Sequence, residues 1–105
     1  MISARFYKTD GFFTGFTVTG HAGYADAGKD IVCASVTSAV QLVANGLTEL
    51  SGACCKSRAE NETVTVTLNG APSEKTELLF QSLYLQLTLI EEGYPEAIGI
   101  KLVEV

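Results

Sequence analysis

The stretch Gly20-His21-Ala22-Gly23-Tyr24-Ala25-Asp26-Ala27-Gly28-Lys29-Asp30-Ile31-Val32-Cys33 is where the chain changes its periodicity. Before it, apolar residues alternate as in a strand; after it they recur at helical spacing. A strand therefore ends near Gly20 and a helix opens near Cys33, with a glycine-bearing loop between them. The junction holds the chain's single histidine, His21, and one of its three cysteines, Cys33. Two side chains held at a strand end and a helix start are able to meet in space.

Working outward toward the N-terminus, Ile2, Ala4 and Phe6 alternate with Ser3, Arg5 and Tyr7 over residues 2–8, the pattern of a half-buried strand. Asp10-Gly11 supplies the positive φ angles of a tight hairpin turn. Residues 12–19 return as a second strand, with Gly15 placed for a bulge. Toward the C-terminus, Val36, Val40, Val43, Leu47 and Leu50 mark one face of a helix over 32–50, and Gly52 ends it. The small residues Ala34, Ala39, Ala44 and Gly46 suit that helix to close packing.

Residues 53–58 and 63–68 read as strands about a Glu60-Asn61-Glu62 turn, and Val64, Val66 and Leu68 share one face of the second. Ser73 and the acidic residues after it open a second helix that runs to about Glu92. Its apolar residues form two stripes: Leu79, Leu83, Leu87 and Ile90 in one, and Leu78, Leu85 and Leu89 in the other. Such a helix is either enclosed in the core or shared with a second subunit. Gly93-Tyr94-Pro95 stops it, and Ile98 to Val105 give a last strand. The order ββαββαβ predicts a single α+β domain over 1–105, with a mostly antiparallel sheet and two packed helices.

Composition narrows the function classes. The chain has 105 residues, 47% of them apolar and 18% charged, which is a globular balance. A net charge of −5 argues against direct nucleic-acid binding and is compatible with a basic partner. No apolar run approaches the roughly 20 residues that span a bilayer, and the N-terminus lacks a signal-peptide core. A cytoplasmic protein without a membrane partner is the expectation, and an odd number of cysteines fits reduced thiols there.

A thiol attacks only as thiolate, and an ordinary thiol near pKa 8.5 is mostly protonated at neutral pH. A helix N-terminus and a neighbouring imidazolium both favour the thiolate, so Cys33 with His21 forms a candidate nucleophile and base. Asp30 is either the helix N-cap or a carboxylate that orients His21. Thr37, one turn after Cys33, either hydrogen-bonds within the site or bonds its own helix backbone. The loop containing Gly23 and Gly28 suits a lid. Cys54 and Cys55 are neighbours on a predicted strand and point to opposite faces, so a metal site built on them is not expected.

Gly20-His21-Ala22, followed by Gly28-Lys29-Asp30-Ile31-Val32-Cys33-Ala34-Ser35-Val36-Thr37, resembles the signature of the ribosomal-processing cysteine protease (Prp) family. The likeness extends over nearly the whole chain. It implies that Cys33 is the nucleophile, His21 the base and Asp30 a supporting residue. Gly20 would give backbone freedom beside the loop, and Thr37 stands where members usually carry serine. The resemblance further implies removal of the N-terminal extension of a large-subunit ribosomal protein, number twenty-seven. The peptide would be extended, with a bulky apolar residue before the cut. A homodimer without metal or organic cofactor is also implied.

Two other readings compete with the endopeptidase. One is a non-catalytic ribosome-assembly factor that grips a basic ribosomal protein. The other is a redox protein using Cys54 and Cys55.

Overall fold

The computed structural model describes residues 1–20 and 27–105, with the backbone alone described for 27–30. Two hairpins build most of its sheet. Asp10 (φ 53°) and Gly11 (φ 86°) form the two-residue loop between β1 (Ile2–Thr9) and β2 (Phe12–Thr19). Asn61 (φ 50°) and Glu62 (φ 62°) do the same between β3 (Cys55–Glu60) and β4 (Thr63–Leu68). Paired positive φ angles give these loops a twist that matches the strands they join. β3 begins and ends two residues later than the sequence pattern predicts.

The β1–β2 register explains a sequence conflict. Phe13 and Phe16 are both buried, yet residues three apart on a regular strand face opposite ways. The register slips where Tyr7 faces Gly15 and Lys8 faces Phe13, which makes Thr14 the extra residue of a bulge. The expected bulge is therefore present, beside Gly15 rather than on it. Gly15 has a separate task, because a Cβ there would lie 2.7 Å from the Val66 carbonyl oxygen on β4.

β5 (Ile98–Glu104) returns parallel to β1, with Ile98 beside Ile2 and Leu102 beside Phe6. The strand order is β3-β4-β2-β1-β5, with three antiparallel pairings and one parallel. This is the mostly antiparallel ββαββαβ sheet that the sequence implies. One face is lined by threonines that bond across strands, Thr19 to Thr63 at 2.7 Å and Thr17 to Thr65 at 3.3 Å. The other face carries the core.

α2 (Glu74–Gly93) is started by a capping box in which Thr76 N–H donates to the Ser73 hydroxyl and Ser73 N–H donates to the Thr76 hydroxyl. Its inner stripe places Phe80, Leu83 and Leu87 in the core. Phe80 meets Phe16 edge-on at 6.0 Å between ring centres, and Tyr84 meets Phe6 at 5.1 Å. Such edge-to-face pairs add about 0.5–1.5 kcal/mol each to the burial term. The outer stripe of Leu78, Leu85 and Leu89 is exposed.

α1 (Ala27–Asn45) buries Val32, Val36, Val40 and Val43, then widens into a π-helical turn over Gly46–Leu50. There the Ser51 N–H donates to the Gly46 carbonyl, five residues back, at 2.9 Å. Widening the turn sets back the helical phase of later residues. Leu47 stays buried, but Leu50, expected on the inner face, is 80% exposed. Gly46 sits against Leu79 of α2, where a Cβ would be 3.2 Å from the leucine methyl.

By length and composition the helical run Ile31–Leu50 is apolar enough to cross a membrane, with mean hydropathy 1.5, which corrects the reading that no run approaches that length. In this fold its valines are spent on the sheet.

Replacing Gly15 by alanine forces a side chain against backbone that cannot move without breaking the β2–β4 ladder. Gly15→Ala is expected to cost about 1–3 kcal/mol, a fall of roughly 4–8 °C in Tm for each kcal/mol. Gly93→Ala meets nothing within 4 Å and serves as the control. A thermal melt in which the two variants match wild type would contradict this packing.

Candidate active site

Cys33 follows Val32, which is fully buried, and precedes Val36 on the same helix face. The register leaves Cys33 half-buried on the flank of α1 that looks toward the β3–β4 hairpin. Because α1 starts at Ala27, Cys33 occupies its second turn and not its first. The helix N-terminal field falls off within the first turn, so it reaches this sulfur less than the sequence suggests. Asp30 lies inside that first turn and is not the N-cap. Gly28, expected in a lid loop, is also within α1, since one glycine costs only about 1 kcal/mol in a helix otherwise well supported. His21 and Gly23 fall outside the described residues, as does the Asp30 side chain.

A groove of about 330 Å³ opens between α1 and the hairpin, with Cys33 in its wall. Small side chains keep it open, Ala44 on the helix side and Ser57 and Ala59 on the β3 side. Val18 and Val64 make its apolar floor, and Gln41 and Asn45 close its far end with amides. From Cys33 to Asn45 the helix rises about 18 Å, the length of roughly five extended residues. Thr37 stands exposed one turn from Cys33 and lines the same groove.

Gly20 ties the end of β2 to this place. Its N–H donates to the Glu62 carbonyl at 3.1 Å, and its φ is +83°. A Cβ would lie 2.8 Å from the Met1 carbonyl oxygen, so the position takes glycine on both counts. The residue before His21 is therefore pinned beside the groove. A shallower hollow of about 410 Å³ joins Gly20, Cys33 and Thr37 to the carboxylate residues Glu60 and Glu62. Glu60 is bridged by Arg58 at 3.0 Å. The sequence showed the Asn61-Glu62 turn, but nothing in it said that the turn folds beside Cys33.

The other two thiols point elsewhere. Cys54 is exposed, with the Asn69 amide donating toward its sulfur at 3.9 Å. Cys55 donates to the Leu47 carbonyl at 3.6 Å. Burial, with the neighbouring Cys54 adding to it, pushes the Cys55 thiol up. Among the described residues, no three His, Cys, Asp or Glu side chains gather closely enough to hold a metal ion.

A half-buried thiol in the wall of a peptide-length groove is suited to attack on an extended chain. The family model of the cysteine protease Prp matches residues 1–99. This chain belongs to the Prp family of cysteine proteases. No curated protein matches it in sequence. Among solved structures, SMU.848 from Streptococcus mutans is 29% identical with a TM-score of 0.89, over 100% of this chain and 96% of that one. The essential ribosomal processing protease Prp from S. aureus, in complex with a covalently linked product peptide, is 24% identical with a TM-score of 0.87. Its complex with a substrate peptide gives 23% and 0.87, each comparison covering 97% of this chain and 99% of that one. Both S. aureus structures share the fold.

Of the three cysteines, Cys33 is the one that lines the groove, and two measurements check the local account. Gly20→Ala should lower kcat/KM at least tenfold while costing about 1–2 kcal/mol of stability. Full activity in that variant would show that the β2 end does not position the site. In timed alkylation of the native protein, read by peptide mass, Cys54 should be modified before Cys55. The reverse order would contradict the burial of Cys55.

Proposed function

We propose that this chain is a cysteine endopeptidase that removes the N-terminal extension of a large-subunit ribosomal protein, protein twenty-seven, during ribosome maturation. The observation that carries the reading is Cys33 in the wall of the α1–hairpin groove in a member of a cysteine protease family. The S. aureus family member is a ribosomal processing protease whose structures hold substrate and product peptides. The acidic balance of this chain, −5 overall with Glu60 and Glu62 on the rim, supports a basic substrate.

In the proposed reaction His21 takes the proton of the Cys33 thiol. The sulfur attacks the scissile carbonyl, the C–S bond forms, and the peptide C–N bond breaks as His21 returns the proton to the leaving amine. The mature ribosomal protein leaves first. Water, deprotonated by His21, then cleaves the thioester and frees the extension as a carboxylic acid. Asp30 supplies supporting negative charge, and Thr37 offers a hydroxyl on the groove. The apolar floor of Val18 and Val64 suits a bulky apolar side chain before the cut. We place the enzyme in the cytoplasm as a homodimer, with protein side chains alone performing the chemistry.

The test is cleavage of the N-extended ribosomal protein of the same host, read by mass. Wild type should give one shortened product, and Cys33→Ala and His21→Ala should each lose at least a thousandfold in rate while remaining folded. Intact substrate with folded wild type would overturn the protease reading in favour of a binding role.

A further inference from the structure

The two edges of the sheet are finished differently. Along β5 the Val105 N–H donates to the Lys8 carbonyl, so odd-numbered residues face β1 and Ile100 faces outward. The Ile100 N–H donates to the Glu91 carboxylate of α2 at 3.2 Å, a cover of the kind that keeps an edge from pairing. β3 is the strand at the other edge. There the Asn69 N–H donates to the Cys54 carbonyl at 2.7 Å, which sets the phase of the β3–β4 ladder. Even-numbered residues of β3 bond β4, and the N–H and C=O groups of Ser57 and Ala59 face outward. Both residues are exposed, and among the described residues no second strand pairs with that edge.

The open edge adjoins the thiol. Ser57 and Ala59 line the groove that holds Cys33, and Ala59 also lines the hollow shared by Cys33 and Thr37. In the register Ser57 lies opposite Val66 and Ala59 opposite Val64, so both side chains share the core-side face. Lys56, Arg58 and Glu60 lie opposite Thr67, Thr65 and Thr63 on the other face. A chain added beside β3 turns every second side chain to the core-side face, where small neighbours leave room for large groups.

We propose that the substrate's N-terminal extension docks as a sixth strand on β3, its main chain bonded to Ser57 and Ala59. The inference rests on the endopeptidase reading above and deepens it by naming how the extension is held. An extended peptide on a sheet edge takes affinity from main-chain bonds and selectivity from alternate side chains. The occupant is the substrate because the edge is continuous with the groove of Cys33.

The experiment measures kcat/KM of the full chain on peptides that span the cut in the N-extended ribosomal protein. In each peptide one amide N–H on the extension side of the cut is replaced by an ester oxygen, which removes a donor without adding bulk. Losses of about threefold to tenfold should fall on alternate positions, with less than about twofold between them. Proline removes one edge N–H and is tolerated where that group faces outward. Ala59→Pro should therefore melt close to wild type and lose about tenfold in kcat/KM, mainly through KM. Arg58→Pro, which removes a donor to β4, should instead lower Tm sharply. Ester losses without alternation, or Ala59→Pro with wild-type kcat/KM, would overturn the proposal. So would an Ala59→Pro variant as unstable as Arg58→Pro, since the register would then be wrong. A fully active Ala59→Pro with a lower molar mass by light scattering would give the edge to a second copy instead. A wild type that leaves the unmodified peptide intact would overturn the endopeptidase reading itself.

Discussion

The placement of the two helices governs this molecule. Five strands about 4.8 Å apart and two helices of roughly 10 Å each have nearly equal widths, so where the helices settle decides which strand is left uncovered. α2 is fixed over β1 and β2 by the cluster of Phe6, Phe13, Phe16, Phe80 and Tyr84. α1 packs beside it, closely enough at Gly46 to touch Leu79. Beyond Cys55, which meets the π turn at Leu47, the outer strand β3 is then left without a helix above it. The groove that contains Cys33 is the uncovered strip, and its small lining residues are those of a surface that no helix fills. Placing Cys33 there costs no cavity in the core.

The fold was largely legible because its strongest signals are local. Asp10-Gly11 and Asn61-Glu62 give the hairpins, Ser73 and the acidic residues after it open α2, and the two stripes of α2 separate into an inner and an exposed set as their spacing implies. The misreadings share a cause, which is that phase along a helix depends on backbone detail hidden from periodicity. The π turn after Asn45 turns Leu50 outward, and the earlier start at Ala27 moves Cys33 from the first helical turn to the second. The bulge at Thr14 was anticipated near Gly15, yet its purpose of bringing both Phe13 and Phe16 to the core shows only in the register.

The site was legible by residue type and not by shape. A lone histidine and a cysteine across a strand-to-helix junction pointed to α1, and Gly20 is hydrogen-bonded to the Glu62 carbonyl beside the groove, with the Met1 carbonyl close by. What a one-dimensional reading lacks is the hairpin partner. Ser57, Ala59, Glu60 and Glu62 come from more than twenty residues downstream, and they acquire meaning only when β3 and β4 pair beside β2. The same limit applies to charge. The net value of −5 says nothing of where carboxylates stand, whereas two on the rim of a thiol-bearing hollow bear on what peptide enters.

Three free thiols in one small chain make a direct discrimination available. The account's central claim is that Cys33, alone of the three, is the nucleophile on the groove. A peptidyl chloromethyl ketone carrying the sequence before the cut, added in slight excess and followed by intact mass and peptide mapping, tests it. The account predicts one equivalent of label, on Cys33, with loss of cleavage proportional to labelling. Label on Cys54 or Cys55 that tracks the loss of cleavage, with Cys33 unmodified, would contradict it.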